Sequence, residues 1–194
     1  MKDNVAGSRF SGDNLINKME NYPNLKWIEA GINIMRNYGA RHISISTICS
    51  EIGLSEKEFN QIYSDLEDYL NSLLDYWYEK ETLTYIDFLE EIGGKAESAL
   101  LTMVEIIHNI DKGDELAIRN WALRYASAQD ALAKVDRTRL DVTIGLFKEI
   151  GFSEKESILR SKLFYTSTIG IEYTAASLSL EKKLEMCKLL MTRD

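Results

Sequence analysis

The sequence contains a single proline, Pro23, and beyond it apolar residues recur at spacings of three and four almost to the end of the chain. This periodicity is typical of amphipathic helices, and no alternation of strand and helix patterns accompanies it. The sequence therefore predicts an all-α protein. Its 194 residues suit one compact domain, or a small module joined to a larger one.

Cysteines and long apolar runs are also scarce. The two cysteines, Cys49 and Cys187, are too few for a disulfide framework and lack the spacing of metal ligands. No run of about 18 apolar residues is present, and the amino-terminal sequence is too polar for a signal peptide. We therefore expect a cytoplasmic protein with no metal site and no membrane span.

Signatures of catalysis are missing from the sequence as well. It has no Gly-x-x-x-x-Gly-Lys phosphate loop, no His-Glu-x-x-His and no Gly-x-Ser-x-Gly. Glu105 and His108 have the Glu-x-x-His spacing of di-iron bundles, but that chemistry needs a second such motif, and the other histidine, His42, is not in one. Cys49 lies on the apolar face of its helix and is expected to be a core residue. We predict that the protein is not an enzyme and has no cofactor.

Basic charge is scarce too, because 23 Lys and Arg minus 31 Asp and Glu gives a net charge of -8. Such a balance argues against binding to nucleic acid. The excess is uneven, however: residues 1–66 carry 7 basic and 8 acidic side chains, and the remainder carries 16 and 23, giving -1 and -7. The amino-terminal third is therefore nearly neutral, and any nucleic-acid recognition there must rest on a few polar contacts.

A polar segment, residues 1–23, is predicted to be a flexible arm that precedes three helices. The second helix ends at Gly53, and the third must start at once because Ser55 and Glu58 have the spacing of a capping box. So tight a turn makes the second and third helices cross steeply. The sequence therefore predicts a helix-turn-helix unit over residues 24–66, called the head below.

The remaining residues, 67–194, are predicted to form a larger helical domain. A long fourth helix runs from Asp65 to about Glu91 and has a broad apolar face. Five further helices, which bring the expected total to nine, are predicted at about 96–110, 114–125, 129–150, 154–178 and 181–191.

The segment from Trp27 to Trp77 resembles the amino-terminal domain of the TetR (tetracycline-repressor-type) family of transcriptional regulators. The resemblance lies in WIEAGINIMRNYG, in ISISTICSEIGLS, and in the aromatic pair Phe59 and Tyr63 before a long helix. Residues 136–173 resemble the carboxy-terminal part common in that family. The resemblance implies a DNA-binding head and an all-helical domain that forms a homodimer and encloses an effector pocket.

The third helix departs from the usual pattern of the family. Where a basic residue, a glycine and a small hydroxyl residue are common, this chain has Glu56, Lys57 and Glu58, and a lysine that often opens the fourth helix is here Leu66. We therefore expect few phosphate contacts and weak non-specific affinity. The acidic helix also leaves a second interpretation open: a dimeric ligand-binding or protein-interaction module whose head no longer binds DNA.

The resemblance implies a set of DNA contacts in the head. Asn60 and Gln61 are the expected base-contacting residues, because each side-chain amide can form two hydrogen bonds to adenine. Phosphate contacts are expected from Ser46, Thr47, Lys57 and Tyr63. The alternative is an ordinary solvated helix face.

The effector pocket is expected among side chains that combine apolar bulk with a few polar groups. The candidates are Tyr76, Tyr85, Phe88, Met103, His108, Trp121, Tyr125, Phe147 and Tyr165. The alternative for each of them is an ordinary core position.

Small and apolar residues near the carboxy terminus indicate a two-fold helix bundle between two copies of the chain. The expected interface residues are Ser167, Gly170, Thr174, Leu184 and Leu189. The alternative is packing within one chain.

These expectations describe a sequence-specific DNA-binding regulator that acts as a repressor. Two heads would place their third helices in successive major grooves of a pseudo-palindromic double-stranded operator. A small-molecule effector in the larger domain would shift the long fourth helix, change the separation of the heads and release the operator.

Overall fold

The computed structural model describes residues 22–170 and 178–193, and its regular elements there are all helical. The α-helices are Leu25–Tyr38 (α1), Ile45–Ile52 (α2), Glu56–Phe59 (α3), Leu66–Tyr78 (α4), Thr84–Ile92 (α5), Ala96–Asn109 (α6), Gly113–Ala122 (α7), Ala126–Ile150 (α8), Glu154–Gly170 (α9) and Leu180–Met191 (α10). A 3₁₀ turn, Ala40–His42, precedes α2. A π-helical segment, Glu79–Leu83, joins α4 to α5 without a break. With α4 and α5 counted as one continuous helix, the described residues contain the nine predicted helices, and the all-α prediction is confirmed.

Some helix ends differ from the prediction. The break expected near Ser127 lies earlier, between Ala122 and Ala126, because alanines at 126 and 128 favour the start of α8 and Tyr125 has an extended backbone. The third helix is only one α-helical turn long. Most of the arm, residues 1–21, lies outside the described residues, and the end predicted near 178 for the eighth helix lies at their edge.

The helix-turn-helix is built as the local sequence predicts. Gly53 ends α2 in the left-handed conformation, with φ 68° and ψ 32°, which favours glycine over residues with a side chain. Ser55 then caps α3: its hydroxyl accepts from the Glu58 amide, and the Glu58 carboxylate accepts from the Ser55 amide at 2.8 Å. The two helices therefore turn within three residues, and the capping box is confirmed.

Four aromatic side chains form the core of the head. Phe59 lies 5.6 Å from Trp27 and 5.1 Å from Tyr63, and Tyr69 lies 5.6 Å from Phe59, between ring centres. The Tyr69 hydroxyl donates to the Trp27 carbonyl at 2.8 Å. This close approach requires Gly31, because a Cβ there would overlap the Tyr69 hydroxyl. These contacts fix α3 and α4 against α1.

The core of the head continues into the larger domain. One cluster of buried residues runs from Trp27 and Phe59 through Trp77 to Trp121 and Val135, so α1 packs on both α4 and α7. The head, residues 24–66, is small for a unit that folds alone, and the shared core adds apolar contacts to it. A second core lies between α6, α8, α9 and α10. No helix in the described ranges is long and apolar enough to cross a membrane.

Candidate functional site

The exposed edge of the head carries five of the six predicted DNA contacts. Lys57 is exposed on α3, and Asn60 and Gln61 are exposed in the turns that follow it, where hydrogen bonds of the Asn60 amide to Glu56 and of the Gln61 amide to Glu58 continue the helical path. Ser46 and Thr47 are exposed in the first turn of α2. The structure therefore presents all five side chains to solvent.

Two of the six predicted residues also have structural contacts. Tyr63 is only 4% exposed, and it packs against Phe59 and Tyr69. Burial raises the pKa of Tyr63 to about 12. The Thr47 hydroxyl accepts from the Ser44 amide and lies 2.8 Å from the His42 carbonyl, so it caps α2. The structure thus places Tyr63 in the core of the head and Thr47 in a cap.

The acidic residues of α3 belong partly to the cap. Hydrogen bonds from the Ser55 amide and hydroxyl lower the pKa of Glu58 and keep its carboxylate ionised. Glu56 is exposed beside it. Both charges lie within one turn of Lys57, so the surface of α3 has no positive excess.

A cavity of about 110 Å³ lies in the larger domain, between the α4–α5 helix and helices α6 to α9. Its wall is mostly apolar, with Ile86, Leu89, Ile106, Leu116 and Phe164 among its members. The polar side chains of the wall gather in one region and include Glu81, Thr82, Tyr85, Glu115, Arg139 and Tyr165. Apolar walls with a few grouped polar side chains are typical of ligand sites.

The cavity gathers three of the nine predicted pocket residues, Tyr85, Met103 and Tyr165. The others lie elsewhere. Tyr76 and Trp121 belong to the core shared with the head, and Phe147 belongs to the second core.

The last three predicted pocket residues lie off the cavity as well. Phe88 is buried on α5 outside the cavity lining. Tyr125 is 47% exposed at the turn before α8. His108 is half-buried on α6, and its Nδ1 has no hydrogen-bond partner among the described residues. Most of the nine predicted residues are aromatic, and aromatic character alone does not distinguish a residue of the core from a residue that lines the cavity.

A bidentate ion pair crosses one wall of the cavity. Arg139 donates from Nη1 and Nη2 to the two carboxylate oxygens of Glu115, each at 3.1 Å. Its Nε donates to the Thr82 hydroxyl at 3.1 Å, and Nη2 also donates to the Glu81 carbonyl at 2.8 Å. Burial acts to lower the pKa of Arg139, but Glu115 and Tyr165 together more than offset it, so the pKa is raised and the guanidinium stays charged.

A second arginine extends this network to α9. Arg119 donates to Glu115 at 2.7 Å and to Asp136 at 2.8 Å, and Asp136 accepts from the Tyr165 hydroxyl at 2.6 Å. Burial raises the pKa of Tyr165 to about 12. Helices α7, α8 and α9 are therefore joined by charge-assisted hydrogen bonds behind the cavity wall.

On the other side the polar network reaches the head. Lys80 lies 3.4 Å from the Glu81 carboxylate and donates to Asp114 at 3.0 Å. Arg36, in the last turn of α1, donates to the other Asp114 oxygen at 3.0 Å and also pairs with Asp111, which lines the cavity. A continuous chain of ion pairs thus runs from the cavity wall to the first helix of the head.

The charged wall residues were missed by the sequence analysis, although a signal was present. Glu81 lies four residues after Trp77 and four before Tyr85, so it falls on the apolar face of the long helix. Arg139 stands in the same relation to Val135 and Thr143 on α8. A charged residue on a buried helix face needs a partner, which marks such positions as candidates.

The last two described helices expose apolar side chains. Leu159 and Leu163 on α9 are 53% and 58% exposed, and Leu189 on α10 is 72% exposed. Leu189 is one of the five predicted interface residues. Of the other four, Ser167, Gly170 and Leu184 are half-buried on the same two helices, and Thr174 lies outside the described residues. Single exposed leucines are common. Met186 on α10 is exposed as well, however, so four large apolar side chains lie exposed on adjacent helices and form a candidate interface.

Several solved structures share this architecture, and some of them are transcriptional regulators. SCO4454, a TetR-family transcriptional regulator from Streptomyces coelicolor, is 12% identical, with a TM-score of 0.73 over 95% of this chain and 96% of that chain. Reduced NemR from E. coli is 12% identical, with a TM-score of 0.70 over 86% of this chain and 96% of that chain. The multidrug binding protein EbrR, solved with imidazole, is 14% identical, with a TM-score of 0.61 over 87% of this chain and 94% of that chain.

These likenesses show the fold, and the chain has the all-helical TetR-type fold that its sequence resemblance implied. No family model matches the chain, and no curated protein matches it. Among the described residues no group of three or more His, Cys, Asp and Glu side chains could hold a metal ion.

Proposed function

We propose that the protein is a sequence-specific DNA-binding transcriptional regulator, a repressor that a small-molecule effector releases from its operator. The observation that carries the proposal is the chain of ion pairs from the cavity to the head. Glu81 and Asp111 line the cavity, and both connect to Asp114 or Arg36. The TetR-type fold of the regulators to which the chain is similar also supports it.

The ion pairs suggest how an occupied cavity would act on DNA binding. A ligand beside Glu81 changes the position of Lys80, and Lys80 shares Asp114 with Arg36. Arg36 belongs to α1, which packs against α4 in the aromatic core of the head. A ligand that binds one arrangement of these charges better than the other shifts the head between two positions.

The exposed residues of the head would make the DNA contacts. Asn60 and Gln61 bind base edges in the major groove, and Lys57, Ser46 and the amides of the first turn of α2 bind phosphates. Tyr63 would support these contacts by fixing the turn after α3 against Phe59. Two copies of the chain, joined through α9 and α10, would place two heads on a pseudo-palindromic operator.

Fluorescence anisotropy with DNA from upstream of the protein's own gene tests the proposal. We expect specific binding that unrelated DNA does not displace. The Asn60→Ala/Gln61→Ala variant should lose that specificity and remain dimeric by light scattering. The matched control is Asn120→Ala/Gln129→Ala, which removes the same amide groups from exposed positions on α7 and α8 and should bind normally. Unchanged specificity in the first variant would place the base contacts elsewhere.

The acidic surface of α3 favours a second candidate function. Glu56 and Glu58 flank Lys57 on the helix that would enter the groove, and their charges repel phosphates. A dimeric ligand-binding or protein-interaction module with a head that no longer binds DNA fits this surface. A well-folded dimer that binds none of the upstream DNA specifically would favour the module over the regulator.

A further inference from the structure

Almost all of the polar side chains described in the cavity wall already have hydrogen-bond or ion-pair partners, which limits the kind of ligand that the wall can bind. Arg139 and Glu115 satisfy each other, and the Thr82 hydroxyl accepts from Arg139. The Tyr165 hydroxyl donates to Asp136, and Thr143 donates to backbone carbonyls of its own helix. An anionic ligand therefore finds no unpaired guanidinium among the wall residues that the structure describes.

The remaining lining charges are engaged as well. Asp111 pairs with Arg36 and accepts from the Gly113 amide, and Lys112 has an interaction of its own. Lys112 opens α7 at the rim, one residue from Asp111. Neither residue adds an unused charge to the wall.

Among the described lining residues two acceptors remain, the Glu81 carboxylate and the Tyr85 hydroxyl. The Glu81 side chain is 8% exposed, and its ion-pair partner, Lys80, lies 3.4 Å away and closer to Asp114, at 3.0 Å. The Tyr85 hydroxyl has no hydrogen bond within the described part of the chain and lies in the field of Glu81. The two residues are one helical turn apart, so both acceptors border the same part of the cavity.

The electrostatics of Glu81 agree with this geometry. Burial raises the pKa of Glu81, and Asp114 adds to the effect, while Lys80 and Arg139 only partly oppose it. The charge of a buried carboxylate with a raised pKa is incompletely compensated by its surroundings. A cation placed beside Glu81 would supply the missing compensation.

We propose that the effector cavity takes a compact lipophilic amine, whose ammonium group pairs with Glu81 and donates a hydrogen bond to the Tyr85 hydroxyl. The apolar part of the ligand would lie against Met103, Ile106 and Phe164. The volume of about 110 Å³ limits the occupant to roughly one ring, since an apolar cavity of about 150 Å³ holds benzene. This proposal rests on the proposed function, of which it specifies the effector class.

Three one-ring probes of similar size test the class: benzylamine, benzyl alcohol and benzoate, titrated into the full-length protein by calorimetry near neutral pH. We expect benzylamine to bind at least about tenfold more tightly than benzyl alcohol, because a hydrogen bond to a charged group adds that much. Benzoate should show no binding. Tighter binding of benzoate than of benzylamine, or no binding of any probe, would overturn the proposal.

Two variants locate the binding. Glu81→Gln should reduce the affinity for benzylamine to that for benzyl alcohol, whereas Glu90→Gln, which removes an exposed charge from α5, should leave it unchanged. A benzylamine preference that survives Glu81→Gln contradicts the assignment.

A measurement on the unmodified protein covers the case in which Glu81→Gln does not fold. The methyl resonance of Met103, in the cavity wall, should shift with benzylamine, and that of Met35, in the core of the head, should shift far less. A shift confined to Met35 would overturn the proposal.

Failure of the amine proposal and failure of the proposed function give different results. Operator binding is measured without any ligand, so a protein that binds its operator but none of the amines remains a DNA-binding regulator. A protein that binds benzylamine through Glu81 but no operator retains the cavity assignment and has the module function instead.

Discussion

Arg36 of α1 and Asp114 of α7 form an ion pair, with Nη1 3.0 Å from Oδ1, that ties the head to the larger domain. The pair depends on Gly113, because a Cβ there would lie 2.5 Å from the Arg36 guanidinium. The backbone at the start of α7 thus comes close enough for Arg36 to reach both Asp111 and Asp114. The same Asp114 accepts from Lys80, so one carboxylate holds two helices of different domains.

Asp114→Asn is expected to loosen the head from the larger domain. Its side chain is 9% exposed and satisfies two cations, so loss of the charge should lower the free energy of unfolding by about 1–3 kcal/mol. Amide hydrogen exchange in the last turn of α1 should become faster. Asp141→Asn, at an exposed position on α8, is the matched control and should change neither quantity.

Gly113→Ala separates the geometry of this link from its charge. The new Cβ displaces the flexible end of Arg36 while both carboxylates remain, so faster exchange in α1 should occur here too, with a smaller loss of stability. Unchanged exchange in both Asp114→Asn and Gly113→Ala would show that Arg36 does not anchor the head.

The contact between Tyr69 and Gly31 predicts a non-additive pair of substitutions. Tyr69→Phe should cost about 0.5–1.5 kcal/mol for the lost hydrogen bond to Trp27. Gly31→Ala should cost about 1–3 kcal/mol, because its Cβ overlaps the Tyr69 hydroxyl and lies 2.7 Å from Leu73. When the Tyr69 hydroxyl is absent, part of the overlap disappears. The double variant should therefore lose less free energy of unfolding, measured in urea, than the two single variants lose together. Strict additivity would contradict the close approach.

Local sequence signals predicted much of this fold. Gly53, Ser55 and Glu58 fixed the turn between α2 and α3, and the same Gly-x-Ser-x-x-Glu pattern at Gly151 produced a second capping box, in which the Ser153 amide donates to Glu156 at 3.0 Å. Such caps involve only residues that are close in the sequence, so their presence can be predicted from the sequence alone.

The cavity could not be predicted in the same way. Trp121 and Tyr85 have similar side chains and similar helical periodicity, yet one fills the shared core and the other lines the cavity, because the packing of five helices decides which faces leave a gap. The π-helical turn at Glu79–Leu83 changes the direction in which the side chains after it, including Tyr85, point from the helix. No local sequence pattern predicted this turn. The ion pairs of Arg36 join residues 75 and 78 positions apart, beyond the reach of any spacing rule.

The exposed leucines of α9 and α10 predict how the chain associates. Leu163→Glu combined with Leu189→Glu should convert a dimer into a monomer in light scattering, because two charges per chain would be buried unpaired in the interface. Leu123→Glu is the control, since Leu123 is 76% exposed at the turn after α7 and belongs to neither helix. A dimer that survives the double substitution would exclude α9 and α10 as the interface.

Buried tyrosines predict a loss of stability at high pH. Burial raises the pKa of Tyr63, Tyr85 and Tyr165 from about 10 to about 12, and it raises that of Tyr69 as well. The folded state thus holds these protons more tightly than the unfolded state does. The stability contribution is complete below the unfolded pKa near 10 and is lost as the pH rises towards 12.

The expected observation is a urea midpoint that falls across this alkaline window, together with tyrosinate absorbance that lags behind that of a free tyrosine. Tyr165→Phe should flatten the decrease, whereas Tyr38→Phe, at a position 63% exposed, should leave it unchanged. A midpoint that is constant up to pH 12 would contradict the burial of these hydroxyls.

The near-neutral head predicts a shallow dependence of DNA affinity on salt. Arg41, in the turn before α2, and Lys57, on α3, are exposed cations of the helix-turn-helix. A dimer bound to DNA would therefore neutralise about four phosphates, and log K against log salt should have a slope of about -4. Glu56→Lys adds a positive charge at the start of α3, and it should raise non-specific affinity and steepen the slope. Glu90→Lys makes the same charge change on α5, outside the head, and should leave the slope as it was. A steep slope in the unmodified protein would mean that cations outside these two helices, or in the residues before 22, make further phosphate contacts, since Lys57 is the one cation of α3 and lies between Glu56 and Glu58.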